Sequence, residues 1–234
     1  MLSIVIGVIL FNGQVRTEPL WAKIIPNKTD KHFTEIRKSI EAKYGVPTTA
    51  MVDPKIAIGM YSRNGARNSV ADAFKAGYAF LATDQPENYS KELEPIWSIL
   101  PKNDWETLRL HFLCDKLNKD NVTDVGDRLL KHFPNDLELL TRMAVIRTAI
   151  KPDQKIATAR KYADQAFALR ACSLTYFTVG WTRLYDGKGN PSPGTREDAA
   201  TALHAMQMFL KIANKNDHRI PIAKDVVKTF TKKI

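Results

Sequence analysis

The sequence predicts an all-α protein in which antiparallel helix pairs are stacked in series. Apolar runs with similar closing residues recur along the 234 residues, at 96–104, 129–136 and 209–217, with a weaker version at 166–173. The steps between equivalent closing residues are 33, 37 and 42 residues, taken from Pro101 to Pro134, then to Ala171 and Ala213. Between these runs, apolar residues recur at steps of three and four, which is typical of helices with one apolar face. Neither helix of such a pair can bury its apolar face alone, so neighbouring pairs are expected to stack.

The spacing is close to a repeat of about 34 residues, and the last step exceeds it by about eight. The excess coincides with residues 187–194, which are rich in glycine and proline and have the composition of a loop. We therefore interpret 187–194 as an insertion within the last pair.

The apolar pattern predicts the helices in pairs from Ser69 onward. The predicted pairs are 69–82 with 88–100, 105–117 with 122–133, 139–150 with 156–167, and 174–184 with 199–210, followed by a capping helix at 221–230. Asn135, Ser173 and Thr195 occupy positions where an N-cap is expected, and Pro152 lies where a first-turn proline is tolerated. Because Pro95 removes a backbone donor, the helix at 88–100 either begins near it or is kinked there.

Several of these segments resemble the tetratricopeptide-repeat (TPR) family. Residues 159–169 are similar to the second helix of a repeat, with small residues at the packing positions, and residues 176–181 are similar to the first helix with its small glycine. Pro101 and Pro134 match the closing proline of the repeat. The resemblance covers 69–213. It implies a right-handed superhelix of antiparallel helix pairs, whose first helices line a concave face where extended peptides or partner helices lie.

The match to the repeat pattern is incomplete. Leu110 stands where the family prefers glycine, and Ala171 replaces the third closing proline. Two architectures therefore stay open, a degenerate TPR-like array and an irregular helical bundle. The predicted fold class is the first of these, an all-α, TPR-like right-handed superhelix with a C-terminal capping helix.

The prediction divides the chain into an apolar segment at 1–15, a helix and linker at 16–68, and the repeat domain at 69–234. Residues 1–11 carry no charge, and the first charged residue is Arg16. A run of this length is too short to cross a bilayer as a helix, and no basic residue precedes it as in an export signal. Two interpretations stay open: a short export signal or membrane anchor, or an element packed on the repeats. The protein is exported or membrane-tethered in the first case and cytoplasmic in the second.

An amphipathic helix is predicted at 29–44. Its apolar side chains lie three and four positions apart from Phe33 to Tyr44, and Gly45 with Pro47 ends it. The charged residues of its other face are expected in solvent: Lys31, Glu35, Arg37, Lys38, Glu41 and Lys43. Residues 46–68 carry turn signals and are interpreted as a linker.

Positive charge is concentrated at the two ends of the chain, which has a formal net charge of +10. Residues 1–69 carry 10 basic and 5 acidic side chains and residues 211–234 carry 7 and 2, whereas residues 70–150 carry 10 and 13. Basic ends can bind nucleic acid or an anionic membrane surface, but they also maintain solubility. No aromatic residues alternate with the basic ones, and no zinc-finger or helix-turn-helix spacing occurs. Binding to nucleic acid or an anionic surface is therefore the alternative function.

The sequence contains no recognisable motif for catalysis, metal binding or cofactor binding. Its five histidines are scattered and form no i, i+4 pair, and Cys114 and Cys172 have no companion at metal-ligand spacing. The cysteines are interpreted as small buried apolar residues, and a disulfide stays open if the chain is exported. We therefore predict no enzymatic activity, no catalytic residue, no metal and no cofactor.

The predicted function is a non-enzymatic protein-interaction scaffold that binds a partner polypeptide on the concave face of a helical repeat. Arginine and tyrosine are frequent anchors in protein interfaces. On the first helices, the candidate partner contacts that lie off the apolar face are Arg109, Arg142, Tyr176 and Arg183. The opposing interpretation is that each is an exposed side chain balanced by nearby acids.

Overall fold

A computed structural model describes residues 20–44, 69–83, 85–115, 122–149, 155–186, 189 and 192–231. Within these residues every regular element is a helix, which confirms the all-α class. The α-helices are α1 (Leu20–Lys23), α2 (Lys31–Tyr44), α3 (Val70–Leu81), α4 (Ser90–Ile99), α5 (Trp105–Cys114), α6 (Val122–His132), α7 (Leu137–Ala149), α8 (Ile156–Leu169), α9 (Ser173–Arg183), α10 (Arg196–Ile212) and α11 (Ile220–Thr231). A 3-10 helix, Pro86–Tyr89, precedes α4.

Four features predicted from the sequence lie outside the described residues: the apolar segment 1–15, the helix end at Gly45, the linker 46–68 and Pro152. The insertion predicted at 187–194 is described only at 189 and 192–194. Among the residues described, no helix combines the length and the apolar character that a membrane span requires. Export or anchoring through residues 1–11 stays a prediction.

The helices pack largely against their neighbours in the chain. α3 packs against α4, α5 against α6, α7 against α8, and α9 against α10, which also contacts α11. The first helix of each pair contacts the first helix of the next as well, since α3 touches α5, α5 touches α7 and α7 touches α9. Neighbouring pairs therefore pack on each other, and the right-handed superhelical course of the stack stays a prediction.

Two clusters of buried apolar side chains hold the helices together. The first cluster draws residues from α1 to α8, and the second from the segment between Phe177 and Phe230. Phe33 of α2 belongs to the first cluster and stacks on Phe74 of α3, with ring centroids 4.5 Å apart. The helix predicted at 29–44 thus shares its core with the helix pairs.

Close approach between α3 and α5 depends on a glycine. A Cβ added at Gly77 in α3 would lie 2.6 Å from Leu110 Cδ2 in α5. Leu110 is the residue that departs from the TPR pattern, and its side chain occupies space that Gly77 leaves open. The departure is therefore compensated by a small residue in the preceding first helix.

Aspartates begin two of the first helices. Asp104 Oδ1 accepts a hydrogen bond from Thr107 N at 3.0 Å, and Asp136 Oδ1 accepts one from Leu139 N at 3.0 Å. The recurring Asn-Asp sequence at the end of these apolar runs thus marks the start of the next helix. The predicted N-cap at Asn135 is wrong by one residue, because the aspartate that follows it makes the capping bond.

Other predicted helix boundaries are corrected or confirmed. Ser173 is the first residue of α9, and the N-cap is Cys172, so the predicted cap at Ser173 is also wrong by one residue. The predicted cap at Thr195 is confirmed, because its side chain accepts a hydrogen bond from Asp198 N. α4 runs through Pro95, which excludes a helix that begins at this proline.

Candidate functional site

A buried network of charged side chains connects the first helices α3, α5 and α7. Arg109 of α5, 1% exposed, donates from Nε to Asp136 Oδ2 at 2.5 Å and from Nη2 to Glu138 Oε2 at 2.7 Å. Nη2 also donates to Asp136 Oδ1 at 3.1 Å, so both carboxylate oxygens are engaged. Nη1 donates to the hydroxyl of Tyr78 in α3. One arginine therefore joins three helices.

Burial and ion pairing have opposite effects on the charges in this network. Burial disfavours the ionised form of Asp136, but the Arg109 guanidinium outweighs it and holds the pKa of Asp136 below its ordinary value. Burial likewise disfavours the charge on Arg109, yet Asp136 and its other neighbours hold the pKa of Arg109 well above the ordinary range. Both side chains stay charged, and the expectation that Arg109 lies on an exposed face is wrong.

Helix α2 forms a second ion pair with α5 beside this network. Arg37 Nε donates to Glu106 Oε2 at 2.9 Å, and Arg37 Nη2 donates to Glu106 Oε1 at 3.0 Å. Thr34 Oγ1 donates to the same Oε1 at 3.0 Å. The side chain of Glu106 is 0% exposed and that of Arg37 is 14% exposed. The prediction that Arg37 lies on a solvated face is therefore wrong.

Arg142 and Tyr176, two of the predicted partner contacts, are partly buried between helices. The Arg142 guanidinium of α7 donates to the carbonyl oxygens of Leu113, at 3.2 Å, and Asp115, so it satisfies acceptors at the C-terminal end of α5. Tyr176 of α9 packs edge-on against Phe167 of α8, with ring centroids 5.0 Å apart. Both side chains therefore already connect elements of the fold.

Arg183, the fourth predicted contact, lines an open cleft between α8, α9 and α10. The cleft has a volume of about 690 Å³, which falls within the range of about 300–1,000 Å³ typical of ligand pockets. Its charged lining residues are Arg160, Lys161, Asp164, Arg183, Glu197 and Asp198. Three cations face three anions, so the cleft is polar and close to neutral.

Two linked ion pairs shape this mixed-charge cleft. Arg183 Nη2 donates to both oxygens of Asp164, at 3.0 and 2.9 Å, and Arg160 Nη2 donates to Asp198 Oδ2 at 3.0 Å. Arg183 Nε lies 3.7 Å from Asp198 Oδ1, which links the two pairs. The Asp164 side chain is 53% exposed and that of Arg183 is 16% exposed. An incoming carboxylate can therefore replace Asp164 without leaving Arg183 buried and unpaired.

Most of the cleft residues were not predicted from the sequence. Arg160 and Asp164 are four residues apart on α8, a spacing that places them on one helix face. Asp198 reaches this face from the first turn of α10, beyond the insertion at 187–194. These charges come together only when α10 packs on the preceding helices. No local sequence pattern predicts that packing.

Residues with potential reactivity are dispersed. Within the described ranges, no group of three or more histidine, cysteine, aspartate or glutamate side chains could hold a metal ion. Cys114 is buried and Cys172 partly buried, and neither forms a disulfide. His111 lies against Trp97, with ring centroids 3.9 Å apart. Burial, together with the charge of Lys102, lowers the pKa of His111 to about 3, so its imidazole is neutral at pH 7.

Comparisons with protein-family models, with curated proteins and with solved structures find no match for the chain. The resemblance to the TPR family therefore depends on the sequence pattern and on the order of the helix contacts.

Proposed function

We propose that the protein is a non-enzymatic interaction scaffold whose TPR-like stack of helix pairs binds a partner polypeptide. The observation that carries the proposal is the mixed-charge cleft between α8, α9 and α10, which contains the predicted contact Arg183. The cleft is lined mainly by α8 and α10, the second helices of their pairs, and Arg183 of α9 is its contribution from a first helix, so the proposed binding surface differs from the row of first helices that the TPR resemblance implies.

The charges of the cleft favour a peptide that carries both an acidic and a basic side chain. An acidic side chain of the partner pairs with Arg183, since Arg and carboxylate form the strongest two-point hydrogen bonds between side chains. A basic side chain pairs with Glu197, which is exposed beside the cleft. Charges at the edge of an interface chiefly set the choice of partner and the rate of association.

The experiment compares the full-length chain with Arg183→Ala in affinity capture followed by mass spectrometry, and then measures the affinity of any captured partner by titration. Arg183→Ala is expected to lose the partner while its free energy of unfolding changes by less than about 1 kcal/mol, because Asp164 is 53% exposed and Asp198 keeps its ion pair with Arg160. The matched control is Arg170→Ala, an exposed arginine that follows α8 and does not line the cleft. A partner that binds Arg183→Ala as tightly as it binds the wild type contradicts the proposal.

A second candidate function is binding to nucleic acid or an anionic membrane surface through the C-terminal end. The observation that favours it is a group of exposed lysines in and around α10 and α11: Lys211, Lys215, Lys224 and Lys228. Binding to nucleic acid releases counterions from the phosphates, so its affinity falls steeply as the salt concentration rises. Titration of duplex DNA and of anionic vesicles at low and high salt tests it, and absence of binding at low salt contradicts it.

A further inference from the structure

The main anchors of α2 on α3 and α5 are two side chains that are one helical turn apart. Phe33 is 1% exposed and lies flat on Phe74 of α3, with the ring planes 6° apart. Four residues later, Arg37 makes its two-point ion pair with Glu106 of α5. An aromatic residue and an arginine at positions i and i+4 therefore fix α2 on this face.

The face beneath α2 has an excess of negative charge. The buried carboxylates are Asp104 and Glu106 at the start of α5 and, next to them, Asp136 and Glu138 at the start of α7, whereas Arg109 is a buried cation among them. Arg37 supplies the cation for Glu106, a carboxylate that is fully enclosed when α2 is in place. A buried carboxylate without a cation is strongly destabilising, so an occupant of this face must bring a positive charge to Glu106.

Thr34 adds a hydrogen bond to Glu106, but α2 buries only a narrow apolar face. Ile36 and Ile40 are only partly buried against the first apolar cluster. Many of the other residues of α2 are exposed to solvent: Lys31, His32, Glu35, Lys38, Ser39 and Ala42. A helix that buries one narrow face and leaves the rest in solvent belongs to the least stable part of a fold, where local opening occurs first.

We infer that the face formed by α3 and α5 is a helix-binding groove, that α2 is its intramolecular occupant, and that a partner protein competes for it. The competing segment is an amphipathic helix with an aromatic residue and an arginine four positions later. This inference is independent of the mixed-charge cleft, because the two surfaces share no residue and each can fail alone.

The test uses the full-length chain and a fluorescein-labelled peptide with the sequence of residues 28–44. The variant Phe33→Ala with Arg37→Ala removes both anchors, and α2 is expected to leave the groove. The variant is expected to bind the peptide at least about tenfold more tightly than the wild type does, because occupancy by α2 lowers the apparent affinity. A peptide carrying Arg37→Glu is expected not to bind. The control chain Lys38→Ala, changed at an exposed position of α2, is expected to behave as the wild type.

Two results of the titration overturn the inference: no saturable binding to the double variant, or equal affinity for the native and the charge-reversed peptide. A third result also overturns the inference: the wild-type chain forms a concentration-dependent dimer, and the native peptide dissociates it. The groove would then hold α2 of a second copy.

Hydrogen exchange on the wild-type chain keeps the inference testable if the double variant does not fold. Amides of α2 are expected to exchange through local opening, with lower protection than those of α7. Equal protection of α2 and α7 overturns the inference, because the groove then opens only when the whole protein unfolds.

Discussion

Arg109 of α5 and Asp136, just before α7, form a two-point ion pair inside the protein, with Nε 2.5 Å from Oδ2 and Nη2 3.1 Å from Oδ1. The same carboxylate accepts the amide of Leu139 and so caps α7. One aspartate therefore fixes the start of one first helix and its position against the preceding first helix. Substitutions at Asp136 can separate these two roles.

Asp136→Asn retains a capping oxygen but removes the charge. We expect it to lower the free energy of unfolding by about 3 kcal/mol, because a buried guanidinium loses one of its two carboxylates. Asp136→Ala is expected to cost about 1 kcal/mol more through loss of the cap. Urea unfolding followed by circular dichroism measures both changes.

Asp164→Asn is the matched control, because it removes the carboxylate from an arginine pair that is partly exposed. A change of less than about 1 kcal/mol is expected for it. If Asp136→Asn is as stable as this control, the buried ion pair is not the link between α5 and α7.

Stability is expected to fall as the pH is lowered below 6.5, because of His111. Burial lowers the pKa of this histidine from its ordinary value of 6.5 to about 3 in the folded protein. The unfolded chain therefore binds a proton that the folded protein does not bind, and each pH unit between these values costs about 1.4 kcal/mol. Asp136 adds to the loss at still lower pH, because its pKa in the folded state is below its ordinary value.

Urea unfolding at pH 7, 6 and 5 measures this slope. His111→Phe, which keeps a ring against Trp97, is expected to flatten it, and His204→Gln, at an exposed position of α10, is expected to leave it unchanged. An unchanged slope in His111→Phe means that other groups cause the pH dependence.

A methyl group at Gly126 in α6 is expected to destabilise the protein. A Cβ there would lie 2.0 Å from Met143 Sδ, and Met143 is fully buried in α7. Overpacking typically costs about 1–3 kcal/mol, which exceeds the gain of about 1 kcal/mol that alanine brings to a helix. Thermal unfolding of Gly126→Ala should show a lower midpoint.

Gly194→Ala serves as the control for this substitution, because the nearest atom to an added Cβ lies at 3.5 Å, an ordinary contact. Its midpoint should match that of the wild type. Equal midpoints for both variants would show that Met143 moves aside at little cost.

The helices were predictable from the sequence because apolar residues recur with the helical period. The segment predicted at 69–82, for example, is α3 at Val70–Leu81. The interior of α5 was not predictable in this way, because a stripe of apolar residues implies that the other face is exposed. α5 instead has its residues buried from Glu106 to Cys114, so two charged side chains lie inside.

The partners of these two charges are distant in sequence. Arg109 pairs with Asp136, 27 residues later, and Glu106 pairs with Arg37, 69 residues earlier. No local pattern encodes contacts over such separations, since they arise when α2 and α7 pack on α5. For the same reason, Arg183 was predictable as a polar residue on a first helix, but the cleft that it lines with Asp198 was not.

The cap of α5 is expected to be more important for stability than the cap of α10. Asp104 Oδ1 caps α5, and its Oδ2 accepts a hydrogen bond from Asp30 N, just before α2, at 2.5 Å. Asp104→Ala therefore removes a cap and leaves a partly buried amide without its acceptor, at a combined cost of about 2–4 kcal/mol. Thr195→Ala removes only an exposed cap, at about 1 kcal/mol. The difference in the free energy of unfolding between the two variants, measured in urea, reports the contact with Asp30 together with the burial of Asp104. Equal losses would show that this contact adds nothing to the attachment of α2.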